Sequence, residues 1–379
     1  MTDTPAHRGS RILRATRPAA ASAAALLLLA GCGSSDDSAA TSSSSDSSSA
    51  TSSPSATATT PATSGSVTAA AEAFAATLSS EQSTALMQKY SLADAAKWSN
   101  LPQALLRGDE ARIGLQLSTL DDDQQAALAT LLQAATGTAT NEGWDEIQQL
   151  WNADDYLAAN GGGTDYGRGN YYIAFLGTPA DTGTWELQFG GHHLALANTY
   201  TDGVLAGATP SFRAVEPFTT FSQNGVDNQP IQQEQAAFAT LLGSLSADQQ
   251  TTAQLSQTYS DILLKPGVDW QFPTTKDGIP VSELSADQKN HVLAAIQTYV
   301  GDIADADAEA ILAKYTSELD ETYVAFSGTT GMTEQDDYIR IDGPSVWIEF
   351  SMQRGIVLDG NHPHSVWRDR ITDYGGTQS

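Results

Sequence analysis

The chain is short of the residues that most often carry chemistry. It has one cysteine and six histidines in 379 residues. A single cysteine excludes an intramolecular disulfide and any paired-cysteine metal or redox motif. Cations are scarce as well: 18 Lys+Arg stand against 45 Asp+Glu, a net charge of −27. That balance argues against nucleic acid as a partner and against direct adhesion to anionic lipid. There is no HExxH run, no Gly-x-Ser-x-Gly elbow and no glycine spacing of a dinucleotide or phosphate loop, so the common zinc-protease, serine-hydrolase and nucleotide-binding signatures are missing.

What is present begins at the N-terminus. Arg8, Arg11, Arg14 and Arg17 precede an apolar run from Ala19 to Ala30. The run is too short to span a bilayer as a helix. It ends in Leu29-Ala30-Gly31-Cys32, the order of a lipoprotein signal, with Cys32 as the lipidated residue. Residues 1–31 are thus expected to be a signal peptide, and 32–66, rich in Ser, Thr, Ala and Asp, a disordered tether. Removing the leader takes four arginines and Asp3, leaving 14 basic against 44 acidic residues and a net charge of −30. The expected location is the extracytoplasmic side of the membrane, with the lipid bilayer as partner through Cys32 alone. Residues 67–379 are enough for one large domain.

Four helix starts look alike: Leu78-Ser79-Ser80-Glu81-Gln82, Leu120-Asp121-Asp122-Asp123-Gln124, Leu245-Ser246-Ala247-Asp248-Gln249 and Leu284-Ser285-Ala286-Asp287-Gln288. In each, a Ser or Asp can cap the free N–H groups and a Gln three residues on can reach back, which is a capping box. Helical periodicity follows: Leu128, Leu131, Leu132 and Ala135; Leu255, Tyr259, Ile262 and Leu263; Val292, Ile296, Tyr299 and Val300. Two strand-like segments also match, Tyr172 to Thr178 and Tyr323 to Thr329, each followed by a second run, Trp185 to Tyr200 and Tyr338 to Met352. We therefore expect an α+β fold, helical pairs alternating with antiparallel hairpins, as a diverged internal repeat (67–220 and 230–379) sharing one sheet. Thr209-Pro210 and Glu216-Pro217 read as an extended or turn connection between the halves. The glycines around 161–169 read as a mobile loop.

Four of the six histidines fall in two motifs, Gly190-Gly191-His192-His193-Leu194 and His362-Pro363-His364-Ser365-Val366-Trp367-Arg368-Asp369. In an extended segment His362 and His364 share a face and can converge on one ion. Read as strand residues, His192 and His193 point oppositely, so one of the two is expected to join them. Glu349, inside an apolar strand, would want a metal or cation if buried. The expected metal set is His192 or His193, His362, His364 and Glu349, holding zinc or another divalent transition ion. Glu349, Arg340 and Arg368 are the candidate catalytic groups, with Arg213 a further candidate for anion recognition. The competing readings are a structural hydrogen-bonded cluster, a metal-free histidine–carboxylate pair, and ordinary ion pairs for the arginines, Arg368 with Asp369 among them. Asp302, Asp305, Asp307 and Glu309 lack calcium-loop spacing and read as an acidic helix start. His291 reads as a packing or surface residue, and Trp185, Trp347 and Trp367 as core aromatics.

These residues resemble the uncharacterised family catalogued as domain of unknown function 3500. The similarity rests on Tyr172 to Gly177, Trp185 with Gly191 to Leu194, Thr209-Pro210 with Phe212 and Glu216-Pro217, Trp347 to Phe350, and His364 to Asp369 with Asp373-Tyr374-Gly375. It covers about residue 68 to the C-terminus. Arg213-Ala214-Val215 stands where a glycine-containing turn is expected. The resemblance implies no activity. Two functions follow from the residues: a metal-dependent hydrolase (or, with a redox-active ion, an oxidoreductase), or a non-enzymatic surface module binding a small molecule or polymer.

Overall fold

The computed structural model describes residues 64–108 and 111–376. The leader, Cys32 and the tether up to residue 63 lie outside the described residues. The first helix, α1 (Ser64–Ala76), already includes Ser64, Gly65 and Ser66 from the segment expected to be tether.

All four capping boxes form. They start α2 (Ser80–Leu86), α4 (Asp122–Ala135), α7 (Ala247–Ala253) and α8 (Ala286–Val300). The capping glutamines also brace helix against helix. Gln82 and Gln124 exchange amide hydrogen bonds at 2.9 Å, and Gln249 and Gln288 do so at 3.2 and 2.8 Å. The apolar faces of α4 and α8 are buried as their periodicity requires. The periodicity expected after Ser246 fails. Helix α7 stops at Ala253, because Gln254 turns extended and bridges Phe326, and the Leu255 N–H then bonds the Phe326 carbonyl. Residues 254–278 cross the sheet as irregular chain instead. The remaining helices are α3 (Leu92–Ala95), α5 (Gly143–Leu157), α6 (Gln232–Ser244) and α9 (Asp305–Ser317). Among the described residues no helix is long and apolar enough to cross a membrane.

The fold is α+β around one mixed sheet. Its strands are β1 (Met87–Gln88), β2 (Leu115–Gln116), β3 (Tyr172–Leu176), β4 (Thr184–Gly191), β5 (Leu194–Thr201), β6 (Val204–Gly207) and β7 (Ser211–Ala214). After a separate small hairpin, β8 (Phe221–Gln223) and β9 (Val226–Asn228), come β10 (Ile279–Pro280), β11 (Tyr323–Ser327), β12 (Tyr338–Asp342), β13 (Val346–Arg354) and β14 (Asn361–Asp369). The sheet order is β1-β3-β4-β5-β7-β14-β13-β12-β11-β10, with β2 beside β3 and β6 beside β5. Strands β7 and β14 meet at its centre, with His364 opposite Ala214 and Val366 opposite Phe212. The segment between the two cis prolines, Pro210 and Pro217, therefore holds a central strand rather than only a connection.

Alternation along β13, β14 and β7 sets the two faces. Ile348, Phe350, Ser365, Trp367 and Arg213 face the helices: Phe238 of α6 lies 5.8 Å from Phe350, and the Tyr299 hydroxyl of α8 lies 2.6 Å from Ser365 Oγ. Trp347, Glu349, His362, His364, Val366 and Phe212 face the other way, under the irregular chain around Trp98 and Ile262. Both histidines of the second motif thus lie on the face turned away from α6 and α8, the side on which the short α3 packs. Trp185, Trp347 and Trp367 are fully buried, as core aromatics should be.

Candidate metal centre

His192 and His193 are not strand residues. They are the two turn residues of the β4–β5 hairpin, between the paired Gly191 and Leu194. Strand alternation is therefore the wrong guide to their direction. The tip is held from several sides. Arg112 Nη2 donates to the Gly191 carbonyl at 2.7 Å, and the Tyr171 hydroxyl to the His192 carbonyl at 2.5 Å. A Cβ on Gly191 would come within 2.5 Å of the Tyr171 ring, so only glycine fits there. His193 adopts φ 66°, a left-handed conformation that costs an ordinary side chain about 1 kcal/mol or more.

That turn aims His193 at the other motif. His193 Nε2 lies 2.8 Å from His362 Nε2, and His364 Nε2 lies 3.2 Å from His362 Nε2. All three rings are buried, and their ligand atoms lie within 4.8 Å of one another. Burial, then the neighbouring imidazoles, holds His193 well below its usual pKa. Burial and His364 push His362 down to about 2, against a smaller opposing backbone interaction from Arg354. Two of the three rings are therefore neutral and can offer lone pairs. Nitrogen donors at 2.0–2.1 Å from a tetrahedral zinc would stand roughly 3.3 Å apart, close to the spacing seen. The donor set fits zinc or a similar divalent ion.

The outer contacts are those of a ligand shell. His364 Nδ1 meets Asp261 Oδ1 at 3.0 Å and the Gln353 amide at 2.7 Å. A carboxylate behind an imidazole fixes ring orientation and raises basicity. His192 stands outside the trio, stacked on His193 with ring centroids 3.5 Å apart. Its Nδ1 lies 2.6 Å from Asp154 Oδ1, and Tyr166 packs edge-on at 4.8 Å. Asp154 Oδ2 also accepts the Gly167 N–H at 2.7 Å, and Asp155 accepts the Arg168 N–H at 2.9 Å. Residues 158–170 form short helical turns pinned to α5, not a free loop. His364 and Asp261 open into a cleft of about 570 Å³, lined also by Lys97, Trp98, Leu101 and Ile356.

Glu349 is not brought to the histidines. Its Oε1 accepts from the Leu263 N–H and the Tyr338 hydroxyl at 2.6 and 2.7 Å, and its Oε2 from the Leu264 N–H and Trp347 Nε1 at 2.9 and 2.8 Å. Four donors occupy it, and it anchors the chain that crosses the sheet. Burial still raises its pKa. Arg340 bonds Asp277 at 2.6 Å and lies two strands from β14, about 10 Å away. Arg368 shares the face of His364 but sits four residues on, roughly 13 Å along the strand. Its partners are Asp373 at 2.8 Å and Asp269 at 2.9 Å, not the adjacent Asp369, which binds Tyr315 and Lys314. Arg213 faces the helices, paired with Glu146 at 2.5 Å and Asp302 at 2.7 Å. Asp302 is thus a buried partner rather than part of an acidic helix start, while Asp305 and Asp307 do begin α9. His291 lies in α8, half-buried, away from the trio.

The model of the family described as "Protein of unknown function (DUF3500)" matches residues 60–376. The chain belongs to the DUF3500 family. Comparison with curated proteins and with solved structures finds no match. In this DUF3500 chain, sequence reasoning missed Asp154 and Asp261. Asp154 and Asp155 had a signal: carboxylates in the last turn of a helix oppose its dipole and ask for another partner. Asp261 had none, since the segment reads as helix and is not.

Proposed function

We propose that His193, His362 and His364 hold one divalent transition ion, zinc by donor type, and that the chain is a metal-dependent hydrolase anchored by lipidated Cys32 on the extracytoplasmic side of the membrane. The observation that carries this reading is the convergence of three buried imidazole Nε2 atoms, with His364 itself lining a cleft of about 570 Å³. Hydrogen bonds among the three Nε2 atoms can use at most two contacts, at 2.8 and 3.2 Å, whereas one ion takes a lone pair from each ring. The left-handed backbone of His193 adds support, because two-residue turns favour Gly or Asn where φ is positive. Strain of this kind persists where surrounding structure enforces it, often at functional sites.

A bound divalent ion supplies Lewis acidity and lowers the pKa of a coordinated water toward 7. The chain's own residues do the rest. Asp261 and Gln353 orient His364, Asp154 holds His192 against the outer face of His193, and Trp98, Leu101 and Ile356 give a substrate an apolar wall. Metal analysis of the purified chain tests the reading. Near-stoichiometric zinc or a similar ion is expected, lost in His364→Ala and in chelator. Its absence, with melting unaffected by chelator, would reject the metal centre. Bound metal without chelator-sensitive hydrolysis of ester, amide or phosphate substrates would leave a binding module. Cys32→Ser should release the protein from membranes; continued retention would refute the anchor.

We also infer that the chain is two diverged copies of one unit. The order capping-box helix, short strand, second capping-box helix, further helix and strand-rich segment occurs twice, and the sheet order reads outward in the same sense from β7 and from β14. Gly114 and Gly278 occupy matching places, at φ 100° and 96°, each with its Cβ direction blocked by the carbonyl of the facing strand. On this reading His193 comes from one copy and His362 and His364 from the other. Superposing residues 67–220 on 230–379 tests it: failure of the paired helices and strands to overlay would sink it.

A further inference from the structure

On the helix side of the sheet, four carboxylates gather around one guanidinium. Glu142 precedes α5, Glu146 lies in it, Glu234 lies in α6, and Asp302 lies between α8 and α9. Ligand oxygens of Glu146, Glu234 and Asp302 stand within 4.8 Å of one another, and all three residues are buried. Arg213 takes one oxygen from Glu146 and one from Asp302. Their second oxygens accept backbone N–H groups, Glu146 Oε1 from Ile231 at 3.1 Å and Asp302 Oδ1 from Gly143 at 2.8 Å. Glu234 is different. It is 1% exposed, and among the described residues neither of its oxygens meets a donor from another residue. Glu142 Oε2 is also buried without a donor, although Glu142 itself is only half-buried and leads out to the surface.

Four carboxylates against one arginine leave three negative charges in a buried space. Burying unpaired charge at this density is far too costly, so protons or a cation must offset it. Without a cation the acids retain protons: burial and neighbouring carboxylates push Glu142 up to about 10 and Glu146 up to about 8. The unsatisfied carboxylate atoms are all oxygen acceptors. An all-oxygen set suits a hard cation. Calcium takes six to eight oxygens at 2.3–2.6 Å with flexible geometry, whereas magnesium keeps several waters in a strict octahedron.

We propose that Glu146, Glu234, Asp302 and Glu142 form a second cation site, separate from the histidines, that takes one calcium ion. It joins groups from α5, α6 and the α8–α9 turn, and so ties the first half of the chain to the second. Glu142 marks the way in. Arg213 and the ion together leave one negative charge, which one shared proton offsets.

The test uses the full chain, stripped with chelator and titrated with calcium alone. One equivalent per chain should bind and raise the melting temperature. Glu234→Gln should weaken binding at least tenfold with an unchanged circular dichroism spectrum. Should that variant fail to fold, Glu142→Gln, at the half-buried mouth, should weaken binding by a similar factor. His364→Ala should leave calcium binding unchanged, so loss of the histidine centre does not touch this one. No uptake by the wild-type chain at millimolar calcium overturns the proposal. So does uptake that neither glutamine variant weakens, or zinc taken in place of calcium by a His364→Ala chain and lost on Glu234→Gln.

Discussion

Replacing Glu349 by glutamine separates an anchor from a ligand. The carboxylate accepts four hydrogen bonds of 2.6 to 2.9 Å, two at each oxygen. Glutamine keeps one acceptor oxygen and turns the other into a donor. The best fit puts the amide nitrogen at Oε1, where the Tyr338 hydroxyl can reverse and accept from it. The Leu263 N–H then faces another donor and is left unsatisfied. One charge-assisted bond is lost and one partly buried N–H orphaned, together about 3–5 kcal/mol. Removing a buried charge, whose cost shows in the raised pKa of Glu349, returns part of that. A net loss of roughly 2–3 kcal/mol in a domain of this size should lower the melting temperature by about 3–5 °C. Calorimetry on Glu349→Gln measures it, with metal content determined on the same sample. Full metal content with reduced stability is expected. Unchanged melting with lost metal would mean that Glu349 is a ligand after all and that its four donors matter little.

Two further perturbations follow from other sites. Glu186 is fully buried, with Thr199 and Gln188 as its only hydrogen-bonding neighbours among the described residues, and burial pushes its pKa up to about 7. The folded state therefore holds this proton more tightly than the unfolded chain. Its contribution is full below pH 4.5, is lost as pH rises to about 7, and is flat above. The shift corresponds to roughly 3 kcal/mol; in denaturant titrations the stability gap between Glu186→Gln and wild type should change only across that window, and a parallel pH profile would count against it. Gly278 has φ 96° and its Cβ direction ends 2.2 Å from the Val324 carbonyl, whereas Gly225, at φ 80°, faces open space. Gly278→Ala should cost roughly 3 kcal/mol or more and Gly225→Ala about 1 kcal/mol, and equal losses would show that the collision is relieved by a small shift.

Much of the fold was legible because it is local. Ser79, Asp121, Ser246 and Ser285 announce helices through bonds made within three residues. The buried stripes of α4 and α8 follow from a 3.6-residue period. The stripe through Tyr259 and Ile262 obeys the same period and is not helical, because a tertiary bridge from Gln254 to Phe326 claims the backbone first. Pattern alone could not separate those two cases.

The candidate centre divides in the same way. Pairing His362 with His364 needed only strand alternation, and both do face one side. Choosing between His192 and His193 needed the hairpin, whose two-residue turn replaces alternation with a left-handed backbone at His193. Joining His193 to His362 spans 169 positions and exists only because β7 lies between β5 and β14. Glu349 shows the converse: the sequence marks a buried acid in an apolar strand, but two of its four partners, the Leu263 and Leu264 N–H groups, come from a segment 86 and 85 positions away. By itself the sequence determined the helix starts, the apolar faces and which residue types could do chemistry, since these depend on neighbours a few residues apart. Which of them meet was decided by sheet order and register, where a one-residue shift reverses every side chain.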